Sequence, residues 1–297
     1  MATCHGRDGA SDRSTGRRCP AVVLIYALGA ASVLVPAVLI PVAATRWAPA
    51  AQRSRAADRL RVAVAGLTGA LGRNGAALVV LLAGSAAVVT VCWPLGEALS
   101  RLEPSVDHPV FDYVHARRVD GWAEVNSFVT ALGDRYPLKW VTVVAAVGFA
   151  IAWRHRRWWI PLIALPMQFV VEQYTQQILA VTVNRGHPPT DVGTYPSGGC
   201  ARVMLTFGVI AVLAGLTWNV SRRGRIAIAT ALAVLVSVEG YTRIYAEKHW
   251  LTDVLGGWIF GALLLGVLVL TVLVAEGRVR PPARSVHVAP VEATTTA

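Results

Sequence analysis

Apolar and polar positions fall in long blocks along this 297-residue chain. Apolar runs cover about 21–45, 76–99, 137–153, 158–183, 201–220, 226–247 and 254–275. A helix needs roughly 20 apolar residues to cross a hydrocarbon core, so each run reads as a transmembrane helix. The first is too long for the apolar part of a signal peptide and lacks a cleavage site, which predicts a retained helix kinked at Pro36 and Pro41. Residues 1–20 read as a disordered polar tail, and 276–297 as a second one rich in Pro, Arg and Thr. Residues 46–75 read as a basic amphipathic linker lying along the membrane surface. The polar stretch 100–136 spaces its apolar residues as short amphipathic helices do. The expected fold is an all-α, polytopic membrane helical bundle. It has a six-helix core over 76–275 and one extra N-terminal transmembrane helix.

Composition supports this reading: 55% of residues are hydrophobic and 15% charged, against about 25% charged in soluble domains. The net charge of +11 is nearly all arginine, gathered in short clusters between apolar runs. That is the pattern of cytoplasmic anchoring and contact with anionic headgroups. With no zinc-finger spacing and no basic stripe with interleaved aromatics, nucleic acid is rejected as a partner. Cys4, Cys19, Cys92 and Cys200 show no metal or redox spacing. Placing 46–75, 154–157, 221–225 and the C-terminal tail in the cytoplasm is self-consistent by the positive-inside rule. The loops 100–136, 184–200 and 246–253 then lie on the outer face. The arginine- and alanine-heavy usage points to a bacterial cytoplasmic membrane, with the protein crossing it several times.

Two of those outer loops carry the candidate chemistry. In 239–257, His249 and Asp253 are four residues apart and share a helical face. A carboxylate there can fix the imidazole tautomer and stabilise its charged form. Arg243 offers a planar fork suited to phosphate. A lone His here would be read as interfacial anchoring, but the joint pattern of Arg, His and Asp is less easily explained that way. In 181–203, Ser197, Gly198 and Gly199 would present a hydroxyl and free N–H groups at a helix N-terminus. An ordinary N-cap at Ser197 is the plain alternative. Glu172 and Glu239, inside apolar runs, are either functional or partners for arginine.

Together these loops resemble the type 2 phosphatidic acid phosphatase superfamily of membrane lipid phosphatases. Its third motif, Ser-Arg, five residues, His, three residues, Asp, stands here as Thr242-Arg243, His249 and Asp253. Its second, Pro-Ser-Gly-His, stands as Pro196-Ser197-Gly198-Gly199. Its first, Lys, six residues, Arg-Pro, aligns on Ala180 and His187-Pro188. The resemblance covers roughly 76–275 and implies a phosphohistidine mechanism. His249 would be the nucleophile and Asp253 its orienting group. Arg243, Ser197, Gly198 and Gly199 would hold the phosphate, with His187, Arg185 or Lys248 replacing the lost cations. Gly199 stands where the family's general acid histidine would be.

The resemblance therefore implies hydrolysis of a lipid-linked phosphate or diphosphate, such as a polyprenyl carrier, without cofactor or metal. Transfer to an acceptor other than water remains an alternative. So does a non-catalytic subunit that binds headgroups or serves assembly. The oligomeric state is left open.

Overall fold

A computed structural model describes residues 54–190 and 193–279. The expected helix over 21–45 and the distal parts of both tails lie outside the described residues.

The first described element, α1 (Arg55–Ser100), begins at Ser54, whose hydroxyl accepts from the Ala57 N–H at 3.2 Å. Its 46 residues would make a continuous rod roughly 70 Å long at 1.5 Å per residue, far more than a bilayer core requires. Gly72 interrupts it, with φ +68° and ψ 173°. An L side chain resists that conformation, whereas glycine accepts it. The segment expected as a linker is thus helical from Arg55 onward and joins the first span at this break. A single π-turn, Glu103–Asp107, follows. Two short helices come next, α2 (His108–His115) and α3 (Asp120–Leu132).

The remaining helices form the bundle with α1. They are α4 (Arg135–Ala152), α5 (Trp159–Val183), α6 (Gly198–Trp218), α7 (Arg222–Tyr245) and α8 (Leu251–Glu276). Among the described residues, α1, α4, α6, α7 and α8 are long and apolar enough to cross a membrane. The 25-residue α5 matches them in length, but Gln168, Glu172 and Gln176 give it a polar face. Gln168 and Glu172 are fully buried, so that face turns into the bundle. The outer surface of the bundle is accordingly apolar: Leu78, Leu82, Val144, Val181 and Val234 are all exposed.

The helix α8 packs most extensively on α1 and α6, and α4 pairs with α5. Close approach depends on small residues, as expected where lipid tails compete with apolar side chains. A Cβ at Gly261 would meet the Ala201 Cα at 3.0 Å, and one at Gly257 the Ser197 carbonyl oxygen at 2.6 Å. The polar and charged groups segregate by end. At one end, Arg156 pairs with Glu276 at 2.9 Å, and Arg157 donates to the Ala275 carbonyl at 3.0 Å. Arg73 lies beside Gly277 there as well. The opposite end collects the α1 C-terminus, the short helices, both candidate loops and most of the acidic residues.

Tyr195, just before α6, locks that second end. Its ring lies between Gly96 of α1 and Gly256 of α8, and its hydroxyl donates to the Cys92 carbonyl at 3.0 Å. A Cβ at Gly256 would sit 2.3 Å from one ring edge, while Gly96 closes off the other side, where a Cβ would meet the ring at 2.6 Å. Gly256→Ala should therefore destabilise the protein by about 1–3 kcal/mol, the range for overpacking. Thermal unfolding in detergent measures this, and an unchanged midpoint would refute the clamp.

Candidate functional site

The corner between α7 and α8 carries His249, which is 8% exposed. Its Nδ1 lies 3.6 Å from Asp253 Oδ2, beyond hydrogen-bond length but within ion-pair reach. Asp253 occupies the first turn of α8, where Oδ2 accepts from the Trp250 backbone N–H at 3.2 Å. A carboxylate here also complements the positive end of the helix dipole. The Asp253 carbonyl accepts from the Ser197 N–H at 3.0 Å. One residue thus ties the nucleophile candidate to the start of α6.

Ser197 is the N-cap of α6 in an extended conformation and is fully buried. Its hydroxyl makes no hydrogen bond, having only a weak contact with the Cys200 thiol. The loop before it is fixed by Gln176, whose Nε2 donates to the Pro196 carbonyl at 3.1 Å. Gly193 lies against His249: with φ +106°, its Cβ would fall 2.0 Å from the Lys248 carbonyl oxygen and 2.8 Å from His249 Nδ1. Only glycine fits both the backbone angle and the space.

The arginines are arranged differently from a set of open phosphate ligands. Arg243, in the last turn of α7, donates from Nε to Glu239 at 2.6 Å. Its Nη2 donates to Asp134 at 2.6 Å and to the Thr130 carbonyl at 3.2 Å. Its guanidinium also fills the space beside Gly199, where a Cβ would lie 2.5 Å from Arg243 Nε. The volume next to the second-motif glycine is therefore occupied by the third-motif arginine.

Arg185 is buried among carboxylates: it donates to Glu103 at 3.2 Å and to Asp107, and lies 3.1 Å from Asp253 Oδ1. It also donates to the Thr252 hydroxyl, and the Thr252 N–H donates to Asp107 at 3.0 Å. This cluster pins the π-turn to the start of α8. His187 is exposed, with Nδ1 against the Gly193 carbonyl, and Lys248 is half-buried with its backbone N–H on the Arg243 carbonyl at 3.1 Å. Ala180 lies in the last turn of α5 and supplies no charge.

Sequence reasoning missed Arg202, four residues into α6, whose Nη1 donates to Glu172 at 3.0 Å inside the bundle. A lone charge in an otherwise apolar helix was the available signal. Asp107, Glu103 and Asp134 were also missed as partners. No local pattern marks a residue whose partner lies far along the chain. Altogether Arg185, Arg202 and Arg243 meet six carboxylates: Glu103, Asp107, Asp253, Glu172, Glu239 and Asp134. No group of His, Cys, Asp and Glu suited to a metal ion occurs among the described residues.

The PAP2 superfamily profile matches residues 74–276, more than half of the chain. The chain belongs to the PAP2 superfamily. It is therefore a multi-pass membrane protein of a lipid phosphatase family. A similar solved structure is that of the first transmembrane PAP2 type phosphatidylglycerolphosphate phosphatase from Bacillus subtilis. The two share 22% identity with a TM-score of 0.47, over 65% of this chain and 92% of that one. No curated protein matches the chain.

Burial pushes the His249 pKa below its ordinary 6.5, and Asp253 only partly offsets this. The unfolded histidine then binds a proton more readily than the folded one. Stability contributed by the neutral ring is present above pH about 6.5 and is lost as pH falls through the folded pKa. On lowering pH below 6.5, the wild type should lose melting temperature faster than His249→Gln. Parallel pH profiles of the two would refute this.

Proposed function

We propose that this protein hydrolyses a lipid-linked diphosphate, a polyprenyl carrier being a suitable example, through a phosphohistidine on His249. The observation that carries the reading is the convergence on Asp253. Its carboxylate faces His249, and its carbonyl holds Ser197 at the start of the α6 anion loop. A nucleophile, its orienting group and a phosphate cradle are the minimum for this chemistry.

In the first step a neutral His249 nitrogen attacks the terminal phosphorus. A P–N bond forms, and the bridging P–O bond breaks with its electron pair on the departing lipid phosphate. Water then attacks the phosphohistidine, which releases inorganic phosphate and regenerates the histidine. Ser197 and the Gly198 and Gly199 amides hold the equatorial oxygens, and Arg243 approaches from α7.

Gly199 offers no proton to the leaving group, and loss of a general acid typically costs about 10²–10⁴-fold in rate. An alkoxide leaving from a monophosphate bears that loss in full. A phosphate leaving group, with a second pKa of about 6, bears far less of it. This favours diphosphates over monophosphates. Purified protein should release phosphate from a polyprenyl diphosphate at least about tenfold faster than from phosphatidic acid, and His249→Ala should abolish release. Equal rates for the variant and wild type on every lipid phosphate would sink hydrolysis.

One observation favours a second reading, in which the fold binds headgroups or serves assembly without turnover. Arg243 is already held by two carboxylates, so a phosphate must compete for it.

We place the site on the outer face of a cell membrane. The basic residues Arg154, Arg156, Arg157, Arg222, Arg223 and Arg225 flank the opposite end of the bundle, which supports a cytoplasmic position for that end. A cysteine introduced at exposed Thr190 should react with an impermeant maleimide in intact cells. Reaction only after permeabilisation would reverse the orientation.

A further inference from the structure

The lost first-motif cations leave the phosphate cradle short of positive charge, and the replacements foreseen from the sequence lie elsewhere. Arg185 is consumed by Glu103, Asp107 and Asp253, and His187 is turned to the Gly193 carbonyl. A different arginine reaches the cradle from below. Arg202 follows Gly198 by one helical turn, and its Nη1 lies only 2.8 Å from where a Gly198 Cβ would be. The guanidinium thus lies against the loop whose N–H groups open α6.

Several buried polar atoms around this point lack hydrogen-bond partners: Ser197 Oγ, Arg202 Nε, Arg135 Nε and Glu172 Oε2. Ser197 is fully buried, and the Arg202 side chain is 9% exposed. Buried polar groups normally find partners, so such a cluster on α4, α5 and α6 needs an explanation. Arg135, at the start of α4, lies near enough to act electrostatically on both Glu172 and Arg202. An ion pair inside a membrane bundle is costly to keep and marks a functional position.

We propose that Arg202 is the second phosphate ligand of this site, supported by Arg135, and that Glu172 holds its guanidinium beneath Gly198 both before and after a diphosphate binds. The bound group is an anion of phosphate chemistry, bridged between Ser197 Oγ, the Gly198 amide and Arg202 Nε. Glu172 keeps Nη1 and does not leave. This assignment rests on the phosphate-handling reading of the same site, but concerns binding and not turnover.

The sign of the response separates a ligand from a structural pair. Inorganic pyrophosphate is titrated calorimetrically into the full-length protein in detergent. Glu172→Gln keeps a hydrogen-bonding partner for Arg202 while removing the competing charge, so it should bind pyrophosphate several-fold more tightly than wild type. The double variant Glu172→Gln with Arg202→Gln removes both charges of the ion pair together and should bind about tenfold or more weakly than Glu172→Gln alone. Gly198→Ala crowds only the ends of the Arg202 and Gln176 side chains and should weaken binding while retaining the fold. Equal affinities for Glu172→Gln and the double variant, or no pyrophosphate binding by either, overturn the proposal. Arg202-dependent binding together with no phosphate release from any lipid leaves the ligand assignment standing and removes hydrolysis alone.

Discussion

An arginine inside a membrane bundle cannot be left alone, and this requirement organises one whole end of the molecule. Removing one partner of a buried pair typically costs about 3–5 kcal/mol, because the remaining charge is stranded. Arg185, Arg202 and Arg243 therefore recruit carboxylates from five different places: the π-turn, the α3–α4 turn, α5, α7 and α8. All but the Arg243–Glu239 pair, which lies within α7, join elements that apolar packing alone would allow to slide. Arg185 fastens the π-turn to α8, Arg243 fastens the end of α3 to α7, and Arg202 joins α5 to α6. The short helices are held over the site by these links and by Asn126, whose side chain donates to the Thr242 carbonyl at 3.0 Å.

The same pairs set the electrostatics of the site. A phosphate entering it finds cations already balanced, so its affinity is a difference between two competing anions and not a simple attraction. Asp253 shows how closely the roles overlap. Its carboxylate caps α8, faces His249 and stands 3.1 Å from Arg185, while its carbonyl holds Ser197. Any movement of Arg185 is therefore felt at the nucleophile candidate through a residue it touches directly.

What could be read from the sequence follows from range. The bundle was legible because each span is written in consecutive apolar residues, and the amphipathic character of 100–136 forecast its short helices. The closeness of His249 to Asp253 was legible because the two lie four residues apart. The partners of Arg243 were not: Asp134 and Thr130 lie more than a hundred residues upstream, and no local pattern links them to it. Arg185 read as a spare cation because only the fold brings Asp107 to it. The helix α1 ran further back than the apolar run indicated. Its first half is amphipathic and basic, a pattern that fits a surface segment as well as a helix continuing past Gly72.

The glycine at 199 and the pairing of Arg243 are best understood together. A histidine at 199 would place its Cβ where the Arg243 guanidinium now packs, within 2.5 Å of Nε. With glycine there, Arg243 can lie flat against α6 and reach both Glu239 and Asp134. Glu239 in turn sits against Gly133, where even a Cβ would come within 2.2 Å of its Oε1. Gly199 at the start of α6 and Gly133 in the α3–α4 turn thus make room for Arg243 and its two carboxylates. A histidine there would press on Arg243 and, by displacing it, leave the buried Glu239 carboxylate without its partner. The missing side chain at Gly199 and the two ion pairs of Arg243 therefore depend on each other.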